Sequence, residues 1–331
     1  MKTIMHESDL WQKQLAEAVT DPLVLFEKLA LDQTYLKGVV SNSFKLRVPL
    51  GFVRRMKQGD IHDPLLRQVL PLQEENQSVQ GFADDPLQEK HFNPVPGLVH
   101  KYKSRVLLMP TRACAIHCRY CFRRHFPYEE NGLSYQRKDD IINYIQHHPE
   151  INEVIFSGGD PLVSTDKVLE KWLFELEKLP QLHYLRIHSR LPIVLPSRIT
   201  TELVSLLLSS RMKVTMVVHC NHPQEVDEEV LVALKKMTNH AMTVMNQTAL
   251  LKGVNDEVEI LAQLNKKLFQ ANVLPYYLHL LDRVAGTHHF EVDETRAKEI
   301  WKGLCAALPG YLVPRLAREH PGEVSKLWLV G

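Results

Sequence analysis

NEVIFSGGDPLVSTDKVLEKWLFELEKLPQLHYLRIH, residues 152–188, holds one complete structural repeat. Its two ends, NEVIFS (152–157) and HYLRIH (183–188), are short apolar runs of the kind found in buried strands. Between them, DKVLEKWLFELEKL carries apolar residues at i, i+3 and i+4, the spacing of an amphipathic helix. Strand, helix, strand in that order reads as a parallel βαβ unit. The same unit recurs on both sides. RVLLMP (105–110), KVTMVV (213–218), MTVMNQ (242–247) and VLPYYLHL (273–280) complete a series whose starts lie 47, 31, 30, 29 and 31 residues apart. TTELVSLLLSS, EEVLVALKKM and EVEILAQLNKKLF fill the later intervals, and the helix-like DETRAKEIWKGLCAAL follows the last run. Six units are too few to close an eight-stranded barrel, so the predicted fold class is α/β, an open partial (β/α)6 barrel. Ligand chemistry in such sheets sits at the carboxyl ends of the strands.

Three segments follow from this period. Residues 1–95 form a helical N-terminal extension and linker, 96–308 the barrel, and 309–331 a strand-like C-terminal segment. In the first, Asp21-Pro22 is an N-cap and N1 pair opening a helix through LVLFEKLAL, while QEENQSVQGFADDPLQ (73–88) reads as a loop or linker. The 331 residues are 44% hydrophobic with 40 Lys plus Arg against 39 Asp plus Glu, a globular composition of net charge +1. That balance argues against nucleic-acid wrapping as the main task. No run reaches the length of a membrane span, and MKTIMHESDL has no apolar core of a secretory signal, so a cytoplasmic location is expected. The odd count of five cysteines fits a reducing compartment. Cys220 and Cys305 are expected to be buried small hydrophobes.

The other three cysteines, Cys114, Cys118 and Cys121, form C-x3-C-x2-C directly after the first strand. Three thiolates can hold three irons of a [4Fe–4S] cluster and leave the fourth open. The alternative is a Cys3His zinc site recruiting His117 or His125, with Arg119, Arg123 and Arg124 beside it as a nucleic-acid module. The second strand ends in Ser157-Gly158-Gly159-Asp160, where two glycines permit close backbone approach to a ligand and an acid can fix a polar group.

Taken together, these two motifs resemble the radical SAM superfamily. The resemblance implies a [4Fe–4S] cluster on the three cysteines and S-adenosyl-L-methionine near Ser157, Gly158, Gly159 and Asp160. It extends further. FNPVPGLVHKYKSRVLL, CAIHCRYCFRRHF, VIFSGGDPL, LRIHSRLPIVLPSRIT, HCNHPQEV, NQTALLKGVND and PYYLHLLDRVAGTHHF are similar, in order, to segments of lysine 2,3-aminomutases. That family performs a radical 1,2-amino migration with pyridoxal 5′-phosphate (PLP) as a further cofactor. The resemblance implies that Lys326, in Pro321-Gly322-Glu323-Val324-Ser325-Lys326, is the catalytic PLP lysine. It implies Arg105 at the PLP phosphate with Tyr102 and Lys101 assisting, and Arg123 on the substrate carboxylate. Asp282 and Glu319 take the positions of the two acids that grip the far ammonium of L-lysine, Glu319 where Asp is usual. His219 and Gln247 match positions near S-adenosylmethionine. The family's longer members carry extra cysteines for a structural zinc; here the matching barrel position is Glu257. The short form resembles the bacterial EpmB-type branch, which makes (R)-β-lysine for attachment to elongation factor P by its lysyl ligase. Neither a nucleic acid nor a membrane is expected as partner, and a homo-oligomer is left open.

Overall fold

The computed structural model describes residues 7–40, 44–126 and 137–330, so most of the opening MKTIMHESDL lies outside it. Nine strands form one sheet in strict chain order. They are β1 (Leu98–Tyr102), β2 (Arg105–Leu108), β3 (Glu153–Phe156), β4 (Tyr184–Ser189), β5 (Lys213–His219), β6 (Thr243–Ala249), β7 (Leu274–His279), β8 (Arg315–Arg318) and β9 (Leu327–Trp328). Pairings from β2 through β8 are all parallel, and β1 and β9 flank them antiparallel. The six strands expected from the sequence are β2 to β7. The sheet adds β8, whose parallel register on β7 (Tyr277 opposite Arg315) makes the C-terminal segment continuous with the barrel.

Helices α1 (Glu7–Ala16) and α2 (Pro22–Leu29) precede the sheet. As expected, Asp21 caps α2, accepting from the Leu23 amide at 2.9 Å, with Pro22 at the first helical position. The crossovers are α3 (Lys138–Gln146), α4 (Asp166–Leu176), α5 (Thr201–Leu208), α6 (Glu228–Thr238), α7 (Val258–Phe269) and α8 (Glu294–Ala307). Each presents one apolar stripe to the sheet. In α4 it is Leu169, Trp172, Leu173 and Leu176, each contributing about 1.5–3 kcal/mol on burial. No helix among the described residues is long and apolar enough to cross a membrane.

β4 and β6 alternate in burial, which strands with apolar side chains on both faces would not do. In β4, Leu185 and Ile187 are buried in the main core, while Arg186 and His188 face the other way and are half-buried. In β6, Val244, Asn246 and Thr248 are buried, while Met245 and Gln247 take the alternate face. Along β4 and β6 the inner face of the barrel chamber is therefore largely polar, while β3 and β5 add the buried Ile155 and Val217 between residues of the main core.

One expectation needs correction. Cys220 is buried, but Cys305 is exposed. The buried face of α8 is Ala297, Ile300 and Leu304, and residue 305 is turned about 100° from 304 around the helix. The stretch 73–88 is a loop after one 3-10 turn, as expected. It belongs to a strap, residues 44–92, laid over the loops that follow the strands' carboxyl ends. Ala83 exchanges backbone hydrogen bonds with Arg283 and Ala285 at 3.0 Å, and Leu87 is buried. Gln68, Glu75 and Glu89 of this strap are buried against those loops, which composition alone does not reveal.

Candidate active site

The loop after β2 carries Cys114, Cys118 and Cys121, and the strap fixes it through its arginines. Glu75 takes both neighbouring guanidinium groups: Arg119 donates through Nε at 2.7 Å and through Nη2, and Arg124 donates through Nη2. Glu89 holds Arg123 in a two-pronged pair, Nε and Nη2 each at 2.7 Å. The Gln68 carbonyl accepts from the Arg119 amide at 2.8 Å. The basic run that could suggest a nucleic-acid surface is thus neutralised inside the protein.

The zinc alternative needs a histidine turned to the thiols. His117 instead stacks on Phe44 at 5.0 Å and donates from Nδ1 to the Lys45 carbonyl at 2.8 Å. His125 Nε2 donates to the Ala285 carbonyl at 3.1 Å. Burial, then the charges of Cys121, Asp160 and Cys118, push the Cys114 thiol well above its ordinary range. Burial and Cys118 push Cys121 up to about 11. Two thiols, Cys114 and Cys121, whose ionised forms are this costly fit a multi-iron centre, whose positive charge offsets what the protein does not.

The turn after β3 packs directly under this loop. Gly158 has φ +103°, and a Cβ there would lie 2.4 Å from Met109 Cγ. At Gly159 a Cβ would lie 2.7 Å from the Ala113 carbonyl oxygen. The Asp160 amide donates to that same oxygen at 2.9 Å. Gly159 thus approaches the cysteine loop's own backbone, and Gly158 the Met109 side chain.

Asp160, expected to meet the cofactor, directs its carboxylate elsewhere. It accepts from Ser189 Oγ at 2.7 Å and from the amides of Arg190, Leu191 and Leu162 at 2.7, 3.1 and 3.1 Å. Burial raises it to about 6 against those bonds. Four donors saturate it, so its structural job is to tie the β3 turn to the end of β4. Ser157 Oγ accepts from Arg123 Nη1 at 3.4 Å.

Lys326 lies just before β9, and its Nζ is ion-paired with Glu319. Glu319 also accepts from Lys101 Nζ at 3.0 Å and Tyr102 Oη at 3.1 Å. Burial works to raise the Glu319 carboxyl, but Lys326 and Lys101 outweigh it and hold the group below the usual carboxylate range. Because Lys101 and Tyr102 belong to β1 and Glu319 follows β8, this clasp joins opposite margins of the open sheet. Arg105 places its guanidinium 4.3 Å from the centre of the Tyr102 ring.

Asp282 follows β7 and shares the chamber. Burial and the charge of Glu319 raise it to about 7, while Lys326 and Lys101 oppose. His219 and Gln247 are register partners near the ends of β5 and β6. Burial and Arg190 depress His219 to about 3. His188 and His279, also on the inner face, are held well below their ordinary value by burial first; Arg186 adds to this at His188 and Lys326 at both. The chamber is thus lined with neutral imidazoles, ringed by Lys326, Glu319, Asp282 and Arg123, and suits a polar, multiply charged guest. Lys326 with Arg105 fits a pyridoxal phosphate, one aldehyde and one phosphate. Reading from sequence missed Glu75, Glu89, Gln68 and Arg190. The acids pair with arginines 34 to 49 positions away, which leaves no local pattern.

The Radical SAM superfamily profile matches residues 108–264. L-lysine 2,3-aminomutase from Escherichia coli (strain K12) is 48% identical over 319 residues, covering 96% of this chain and 93% of that protein. The protein of that name from Haemophilus influenzae is 45% identical, covering 98% and 96%. The one from Clostridium subterminale is 34% identical, covering 96% of this chain and 76% of its own. Among solved structures, a radical SAM methyltransferase from Sphaerobacter thermophilus shares the fold, with TM-score 0.50 at 15% identity over 69% of each chain. With likeness of this extent to full-length relatives, and with the cysteine loop and lysine chamber built as described, the chain belongs to the lysine 2,3-aminomutase family of radical SAM enzymes.

Proposed function

We propose that this protein is an isomerase that converts L-α-lysine to β-lysine, in the R form, to supply the β-lysylation of elongation factor P by its lysyl ligase. Its cofactors are a [4Fe–4S] cluster, S-adenosylmethionine and PLP. When bound, they supply a carbon-centred radical able to take hydrogen from an unactivated carbon, and a ring that delocalises the spin. What most supports the reading is the near-full-length likeness to relatives named L-lysine 2,3-aminomutase.

In this reading Cys114, Cys118 and Cys121 hold the cluster. Ser157 and the backbone of Gly158, Gly159 and Asp160, with His219 and Gln247, face S-adenosylmethionine. Lys326 Nζ is the amine that holds PLP, with Arg105, Tyr102 and Lys101 toward its phosphate. To bond, Lys326 Nζ must shed a proton, and its pairing with Glu319 fixes where that proton resides beforehand. Arg123 takes the substrate carboxylate, its guanidinium plane oriented by Glu89. Asp282 and Glu319 take the far ammonium. Two facing acids, one of them raised by the other's charge, are relieved by a second cation and opposed by a further carboxylate, which favours lysine over glutamate. The enclosed chamber keeps water and stray hydrogen donors away from a reactive carbon.

Anaerobically purified protein, given L-lysine, S-adenosylmethionine, PLP and a reductant, is expected to yield (R)-β-lysine on chiral chromatography. A colourless protein without iron and sulfide, or conversion of glutamate alone, overturns the proposal. Lys326→Ala should abolish both the visible absorbance of bound PLP and turnover. A retained absorbance would show that another amine holds the cofactor.

A further inference from the structure

Arg190 is the first residue after β4 and is only 5% exposed. Its Nη1 donates to Cys118 Sγ at 2.7 Å. Its Nη2 donates to Gln68 Oε1 at 2.7 Å and Glu225 Oε2 at 3.2 Å. The Arg190 amide is fixed by Asp160 at 2.7 Å, and the guanidinium lies 5.4 Å from the Phe52 ring centre and 5.6 Å from that of Tyr120. Gln68 is itself braced by Glu225 Oε1 at 3.0 Å and by Asn221 at 2.9 Å. Strap, β3 turn, β4 and the loop after β5 therefore converge on one side chain. Among the described residues its Nε has no hydrogen-bond partner.

A buried guanidinium ordinarily gives its N–H groups to carboxylates or carbonyls. Here one goes to a sulfur, a weak acceptor as a thiol and a strong one as a thiolate bound to iron. The same guanidinium also closes the buried network of Gln68 and Glu225, so its fork spans a carboxylate, an amide oxygen and the sulfur at once. A rigid fork aimed at a cluster ligand has one electrostatic consequence. It favours whichever oxidation state is more negative.

We propose that Arg190 is a positioning residue that raises the reduction potential of the cluster on Cys114, Cys118 and Cys121 by donating an N–H to the Cys118 thiolate. The inference rests on the cluster assigned under the proposed function. The step concerned is transfer of one electron from an external low-potential donor, such as dithionite or a reduced flavodoxin, into the oxidised cluster. No bond forms or breaks, and the charge added is what the guanidinium stabilises.

The test uses the reconstituted full chain and its Arg190→Lys and Arg190→Met variants, each assayed for iron and sulfide and titrated with EPR detection of the reduced cluster. The midpoint is expected to fall in both, further in Arg190→Met. There the ratio of reduced to oxidised cluster at fixed poise should drop at least tenfold, equivalent to about 59 mV for one electron. A fully loaded Arg190→Met variant with an unchanged ratio overturns the proposal. Should both variants fail to load, the wild-type protein decides. Grown with ¹⁵N-labelled arginine, its reduced cluster should show ¹⁵N coupling and an exchangeable proton by ENDOR, and absence of both overturns the role of Arg190. Wild-type protein that binds no iron or sulfide defeats the proposed function instead, so the two failures are distinguishable.

Discussion

Asp282 is the side chain in the chamber whose charge changes near neutrality. Burial and Glu319 raise it to about 7, with Glu89 adding to them and Lys326 and Lys101 opposing. Below that pH it is mostly protonated and offers an ammonium no charge; above it, the carboxylate is available. Lysine affinity measured by calorimetry should therefore strengthen about tenfold from pH 6 to pH 8, following the ionised fraction. Asp282→Asn should bind weakly with no such rise, and a pH-independent wild-type affinity would remove Asp282 from the ammonium site. Stability carries the opposite sign. An acid whose folded value lies above its unfolded value of 3.8 weakens the fold as pH climbs between the two, and Asp282→Asn should abolish that slope.

At the scale of elements, the turn after β3 and the loop after β2 form one unit. Gly159→Ala would set a methyl 2.7 Å from backbone atoms of Arg112 and Ala113, which cannot swing aside as a side chain would. A loss of about 1–3 kcal/mol in denaturant melts is expected, with fewer irons per chain. A full iron complement and an unshifted midpoint would separate the turn from the loop. The elements differ in how far the sequence discloses them. β2 to β7 announce themselves through a period near 30 residues, and α4 to α8 through their apolar stripes. β1 follows Asn93-Pro94-Val95-Pro96-Gly97, which reads as a turn, and β8 is four residues long with an arginine at each end. Neither has an apolar run to mark its bounds, although β8 falls in the 309–331 segment expected to be strand-like. The cysteines and the glycine pair stand out by their local spacing, while Lys326 is singled out by the family resemblance alone. The partners of Arg119, Arg123 and Arg190 stand out by neither, because each pair is made across different layers of the fold.

For the molecule as a whole, the strap decides whether the cysteine loop is ordered. Glu75→Ala would leave the buried guanidinium groups of Arg119 and Arg124 without their shared carboxylate. Breaking such a pair costs about 3–5 kcal/mol, which urea titration would detect. A variant as stable as wild type would mean that the strap merely rests on the barrel. The strand order has a consequence for biosynthesis. Every strand pairs with the one made just before it, so the sheet can be laid down from one margin to the other during translation. The strap has already left the ribosome when the cysteines emerge, and the surroundings of Cys118 are complete once Glu225 is in place. Lys326 is added about a hundred residues later, so the contacts around Cys118 can form before those around Lys326.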